Sequence, residues 1–110
     1  MKIKDLCEDE RPREKMMDKG ASALSNTELL AILLRTGTEK MNVIDLAREV
    51  LKSAGGKLNG IAGMSAEVLC RIEGIGPSKA VTLAAAFELG RRCASETITD
   101  IRTAITSPKT

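Results

Sequence analysis

Two glycines one residue apart, Gly74-Ile75-Gly76, interrupt the stretch from Leu69 to Leu83 and constrain everything around them. Before them, Ser65 is placed to cap a short apolar helix over Ala66–Ile72, carrying Val68, Leu69 and Ile72. After them, Pro77 has the fixed φ that suits a first helical position, and an Ala-rich segment follows to about Arg92. The pattern predicts helix, tight turn, helix. Glycines allow positive φ and leave backbone N–H groups uncovered, and the next helix begins with unsatisfied N–H groups and its positive dipole end. An anion suits that place. The candidate phosphate-binding set is therefore Gly74, Ile75 and Gly76 through their backbone, Ser78 through its hydroxyl and Lys79 through its charge. The plain alternative is a glycine pair that serves only to make the turn tight, and spacing alone leaves both readings open.

Other helices follow from their caps. Arg11-Pro12 through Lys19-Gly20 has proline where a helix starts and glycine where it stops, which predicts about two turns. Its basic residues read as a solvated face or as a second cationic contact beside the glycine turn. Ser25-Asn26-Thr27-Glu28 is a capping box, and Leu29, Leu30, Ile32, Leu33 and Leu34 then cover most of a helix that belongs in the core. Gly37 is expected to end it in a left-handed conformation. Asn42 caps a helix over Val43–Ser53, where Val43, Leu46, Ala47, Val50 and Leu51 follow the i, i+3, i+4, i+7 pattern. Gly55-Gly56 stops it, and Leu58 and Ile61 make a short turn against the core. In the last helix Ala80, Leu83, Ala84, Phe87 and Leu89 are expected on the buried side, and Arg91-Arg92 at a solvated C-terminus.

Composition narrows the function. With 110 residues, 43% apolar and 29% charged, the chain suits one globular domain, and no apolar run approaches the roughly 20 residues of a membrane span. Without a signal peptide at its start, it reads as cytoplasmic. Histidine is absent, which removes the commonest catalytic base and metal ligand, and Cys7, Cys70 and Cys93 have no metal-ligand spacing. No catalytic residue, metal site or cofactor is therefore expected in this stretch, and the cysteines and five methionines read as packing groups. An enzyme or dinucleotide-binding fold is disfavoured because the segment before the glycines reads as helical, not as a strand, and no acidic residue follows on a second strand. At a net charge of +2, nucleic-acid binding would rest on local geometry and a few cations.

An internal repeat sets the architecture. Leu24-Ser25-Asn26-Thr27-Glu28-Leu29-Leu30 resembles Met64-Ser65-Ala66-Glu67-Val68-Leu69, and each precedes a glycine-containing turn and a helix with apolar-x-x-Leu-Ala. The expectation is an all-α, compact bundle of five to six short helices: tandem, pseudo-two-fold helix-hairpin-helix units at about 25–53 and 65–92, within a domain spanning 1–94. The first turn has one glycine, with Arg35, Thr36 and Thr38 as compensating side-chain donors. From Ser95 the composition shifts to Thr, Ile and charge, and residues 95–110 read as a linker toward a further, C-terminal domain.

The residues Ile72-x-Gly74-Ile75-Gly76-Pro77-x-Lys79-Ala80 closely resemble the helix-hairpin-helix motif of DNA-binding proteins without sequence preference. Together with Arg11-Pro12-Arg13-Glu14-Lys15, the stretch Ala23–Gly37 and Glu88-Leu89-Gly90-Arg91-Arg92, they make most of residues 3–108 similar to the N-terminal region of the bacterial RadC family. The resemblance implies a DNA-repair protein in which this region precedes a metallopeptidase-like JAB/MPN domain. It implies weak DNA contact through the glycine turn, or alternatively a scaffold that positions the C-terminal domain. Two residues depart from the pattern: Cys7 stands where proline is common, and Glu73 sets an acid directly before the turn, where it should weaken phosphate binding.

Overall fold

Side-chain caps set the starts of three helices in this computed structural model, which describes residues 10–106. Expectations for Cys7 and the segment before Glu10 lie outside those residues. Helix α1 spans Arg11–Lys19, with Pro12 in its first turn, and a 3-10 turn at Ala21–Ala23 leads to α2, Asn26–Leu34. At the start of α2, Ser25 Oγ accepts from the Glu28 N–H at 3.1 Å and Glu28 Oε1 accepts from the Ser25 N–H at 2.9 Å, so the capping box is complete. Lys15 Nζ adds a bond to Glu28 at 3.2 Å and ties α1 to the same corner.

Helix α3 covers Val43–Ser53 and is capped by Asn42 Oδ1, which accepts from the Asp45 N–H at 2.8 Å. Two glycines of positive φ, Gly55 and Gly56, end it, and the Gly56 N–H returns to Leu51 O at 2.8 Å. The short α4, Leu58–Ala62, buries Ile61. Helix α5 is Ala66–Leu69, shorter than expected: beyond it the Arg71 and Ile72 N–H groups bond three residues back, to Val68 and Leu69, tightening the chain toward Gly74. Ser65 Oγ caps it through the Val68 N–H at 3.2 Å, with backbone angles of −75° and 165° that nearly repeat the −73° and 166° of Ser25.

The protein is all-α among its described residues, with its core inside the bundle. Leu30, Leu34, Val43, Leu46, Val50, Ile61, Leu69, Ile75, Ala80 and Leu83 meet there almost without exposure, and Leu33, Met41, Met64, Ala84 and Phe87 pack around them. Each fully buried Leu or Ile contributes about 1.5–3 kcal/mol relative to an exposed one. Helix α2 packs chiefly on α3, and α5 on α6.

The last helix, α6, departs from expectation. It runs Pro77–Thr106, 30 residues, well past the expected end near Arg92, so the stretch after Ser95 continues the helix. Nothing between Gly90 and Pro108 breaks a helix, and the Ile and Thr residues there are only weakly unfavourable once a helix is already nucleated. From Leu89 to Ala104 every residue is exposed, and this projecting arm raises the radius of gyration to 17.0 Å, against about 13 Å for a spherical domain of this length.

Several smaller expectations are corrected for related reasons. Leu89 lies on the arm and is 67% exposed. Arg91 and Arg92 sit within α6, both bonded to Glu88, at 2.7 and 2.8 Å. Cys70 and Cys93 are exposed thiols, one after the end of α5 and the other on the arm, so neither packs in the core. Met41 and Met64 do pack against it, while Met17 points to solvent. No helix among the described residues is long and apolar enough to cross a membrane.

Candidate nucleic-acid interface

The two turns meet. Gly74, at φ +90°, lies against Leu46, Thr38 and Met41, so the glycine turn before α6 rests on the turn joining α2 to α3. Ile75 is the peg that holds it: its side chain is 4% exposed in the core, and its N–H donates to Ile72 O at 3.0 Å. That bond corrects one expected role, because the Ile75 N–H is engaged inside the protein and is not open to a phosphate.

Gly76 occupies the position before α6, and its carbonyl accepts from the Ala80 N–H at 2.9 Å. Helices α2, α3 and α5 cover first-turn N–H groups with the side chains of Ser25, Asn42 and Ser65. Glycine has no such side chain. The Ser78 and Lys79 N–H groups lie in the first turn of α6, where a helix supplies no acceptor of its own. No acid occupies that turn.

The turn between α2 and α3 supplies the opposite wall. A cleft of about 280 Å³ is lined by Leu33, Leu34, Arg35 and Thr36 on one side and Ser78, Lys79 and Thr82 on the other. Lys79 Nζ donates to Thr36 Oγ1 at 3.3 Å across it, and Thr82 Oγ1 donates to Ser78 O at 3.0 Å along α6. No carboxylate lines the cleft, while Glu73 is exposed just before Gly74 in the chain.

Arg35 reaches this place through an unusual backbone. Its φ of 72° and ψ of −53°, with the Thr36 N–H donating to Leu34 O at 2.8 Å, form a γ-turn of the strained hand. Arg35, not Gly37, is thus the residue of positive φ after α2. Gly37 is needed for room: a Cβ there would stand 2.1 Å from Met41 O and 2.6 Å from Asn42 C, both backbone atoms that cannot yield.

Of the expected residues, Ser78 and Lys79 line the cleft, Gly76 heads its helix, Gly74 shapes the turn and Ile75 anchors it. Arg35 and Thr36 join them. Thr38 does not: its Oγ1 accepts from the Lys40 and Met41 N–H groups at 3.2 and 3.1 Å and shapes its own turn. None of the basic residues of α1 lines the cleft. Thr82, one turn beyond Ser78 on α6, was not singled out by sequence; its i+4 spacing from Ser78 is the signal that could have found it.

Comparison with known proteins places this stretch. Residues 3–81, which contain both turns, match the family model described as UPF0758 N-terminal. The chain is 48% identical over 95 residues to a UPF0758 protein of Clostridioides difficile, covering 86% of this chain and 40% of that one. It is 53% identical over 92 residues to a UPF0758 protein of Bacillus licheniformis, covering 84% and 41%. A UPF0758 protein of Clostridium acetobutylicum is 47% identical over 110 residues, covering 99% and 47%. The chain therefore spans less than half the length of these curated relatives, and no solved structure matches it. By the extent of the match and the level of identity, the chain belongs to the UPF0758 family and corresponds to its N-terminal region.

Proposed function

We propose that this region binds the phosphate backbone of duplex DNA, weakly and without sequence preference, at the cleft between Arg35-Thr36 and Ser78-Lys79-Thr82. The observation that carries the reading is the cleft itself: two cations and three hydroxyls converge where Gly76, which has no side chain to cap with, precedes α6. A phosphate oxygen would take the Ser78 and Lys79 N–H groups, with Lys79 and Arg35 supplying charge. These contacts ignore base identity. The repeated Ser25 and Ser65 caps, each before a turn and a further helix, support reading α2–α3 and α5–α6 as tandem helix-hairpin-helix units related by a pseudo-two-fold.

Only two or three phosphates fit such a surface, so log affinity should fall against log salt with a slope of about −2 to −3. Fluorescence anisotropy with duplex, single-stranded and branched DNA at two salt concentrations measures it. Lys79→Glu should weaken binding and flatten the slope by about one unit, while Lys52→Glu, on the exposed side of α3, should do less. Equal binding by wild type and Lys79→Glu would remove the cleft as the site.

A second reading has its own support. A mostly apolar groove of about 520 Å³ between α4 and α6, lined by Leu33, Leu58, Ala62, Phe87 and Ala94 among others, suits packing against protein and not against phosphate. In this reading the region is a scaffold that positions the remainder of the full-length protein, a JAB/MPN domain by the family resemblance. In either case the role proposed for this stretch is binding, not catalysis, in the cytoplasm. An absent DNA isotherm at low salt, with tight association to the C-terminal half of a relative, would favour it.

A further inference from the structure

The seam by which α6 joins the core does not stop where the core stops. Ala80 is buried, Ala84 and Phe87 pack against the core, and the alternating four- and three-residue steps continue through Arg91, Ala94, Ile98 and Ile101 on the projecting arm. This is an a/d seam of the coiled-coil kind. Ile98 and Ile101 remain 54% and 53% exposed. The groove of about 520 Å³ opens at the root of the arm, on the side of Phe87, Gly90, Arg91 and Ala94, and therefore on the same seam.

We infer that the arm pairs with the arm of a second copy of this chain, antiparallel, about a two-fold axis level with Glu96. That register places Ile98 of each copy opposite Ala94 of the other, a small residue that shapes the groove, and Ile101 along the methylene stem of Arg91. It sends the end of each arm toward the groove of the other copy. The flanking positions agree. Glu88 comes opposite Arg102 of the second copy, twice by symmetry, while Ser95 meets Ser95 and Gly90 meets Ala104. Every charged flank is thus faced by its opposite. A parallel pairing has none of this: it sets Arg91 against Arg91 in the seam, leaves both grooves empty and brings the two bundles together at one end. Arg91 is tolerable in the antiparallel seam because Glu88 of its own helix holds it at 2.7 Å.

The pairing is short, at the lower end of specific interfaces, so association is expected at roughly 10 µM or weaker. Sedimentation equilibrium of the 110-residue chain from about 10 µM to about 1 mM should show reversible dimerisation. Ile98→Glu with Ile101→Glu should weaken it at least tenfold, with helix content by circular dichroism unchanged, since both residues lie outside the folded core. Arg102→Glu should weaken dimerisation several-fold. Spin labels at Thr103 should stand roughly 20 Å or more apart in the dimer, being seven residues from the axis in each arm. A chain that stays monomeric over the whole range, or that associates only with the C-terminal half of a relative, overturns the proposal. So does a dimer indifferent to the isoleucine variants, or one whose Thr103 labels lie side by side.

Discussion

Gly74 and Leu46 approach so closely that a Cβ on the glycine would stand 2.7 Å from the leucine Cδ1. Leu46 is fully buried, so its methyl has nowhere to retreat, and the glycine also holds φ at +90°. Gly76, two residues on, has nothing within 4 Å of the same construction and an ordinary φ. The two glycines of one motif therefore serve different ends. Gly74→Ala should cost about 2–4 kcal/mol in urea unfolding, from backbone strain and overpacking together. Gly76→Ala should cost under about 1 kcal/mol and act, if at all, on binding at the head of α6.

Arg35 gives a case in which folding and binding pull apart. Its γ-turn backbone is strained for a residue with a side chain, and that side chain supplies a cation to the cleft. Arg35→Gly should raise stability by about 1 kcal/mol while lowering duplex-DNA affinity. Thermal unfolding and anisotropy on the same sample check both signs; a loss of stability would show that the Arg35 side chain matters more to folding than its backbone angle does.

Acid should unfold the corner built on Glu28. The Ser25 N–H holds the Glu28 carboxyl below its usual pKa of 4.5; burial opposes it as the next largest effect, and the Lys15 ammonium adds to the lowering. A carboxylate with a depressed folded pKa stabilises above its unfolded value, and the gain is lost as pH falls through the folded value. Melting temperature should therefore drop on going from about pH 6 to about pH 3, and the drop should be shallower in Glu28→Gln. Glu88 is lowered further, to about 2, by Arg91 first and Arg92 next. It lies at the surface of α6, outside the buried core, so its protonation as pH falls from 4.5 through about 2 should appear as fraying of the arm by circular dichroism and leave the core transition unmoved.

Gly90 sits in the middle of α6 with open space around its missing side chain. Gly90→Ala should stabilise the helix by about 0.5–1 kcal/mol, read as increased helix content and slower amide exchange along the arm.

Caps were the most legible part of the chain because they are local: Ser25, Asn42 and Ser65 each needed only a side-chain oxygen three residues before an N–H. Ser78 and Lys79 were legible for the same reason, lying in one turn after a glycine. Their partners were harder. Thr36 meets Lys79 across 43 residues of chain, and only the packing of α2 beside α6 brings them together. Sequence assigned positive φ to Gly37 because glycine takes it freely, yet the backbone of Met41 claims the space there and the turn falls on Arg35 instead. Ile75 was read through its backbone, and its burial shows that the apolar side chain matters more. The end of α6 was misjudged from composition: Thr and Ile weaken a helix without stopping one. At the level of family the resemblance agrees with the UPF0758 match.

One helix runs from the cleft to the tip of the arm. At 1.5 Å per residue, its 30 residues make a rod of about 45 Å. A tilt of about 5° where Ser78 and Lys79 meet a ligand would swing the tip by about 4 Å. The helix thus acts as a lever, and small changes of angle at the cleft become displacements of several ångströms at its far end.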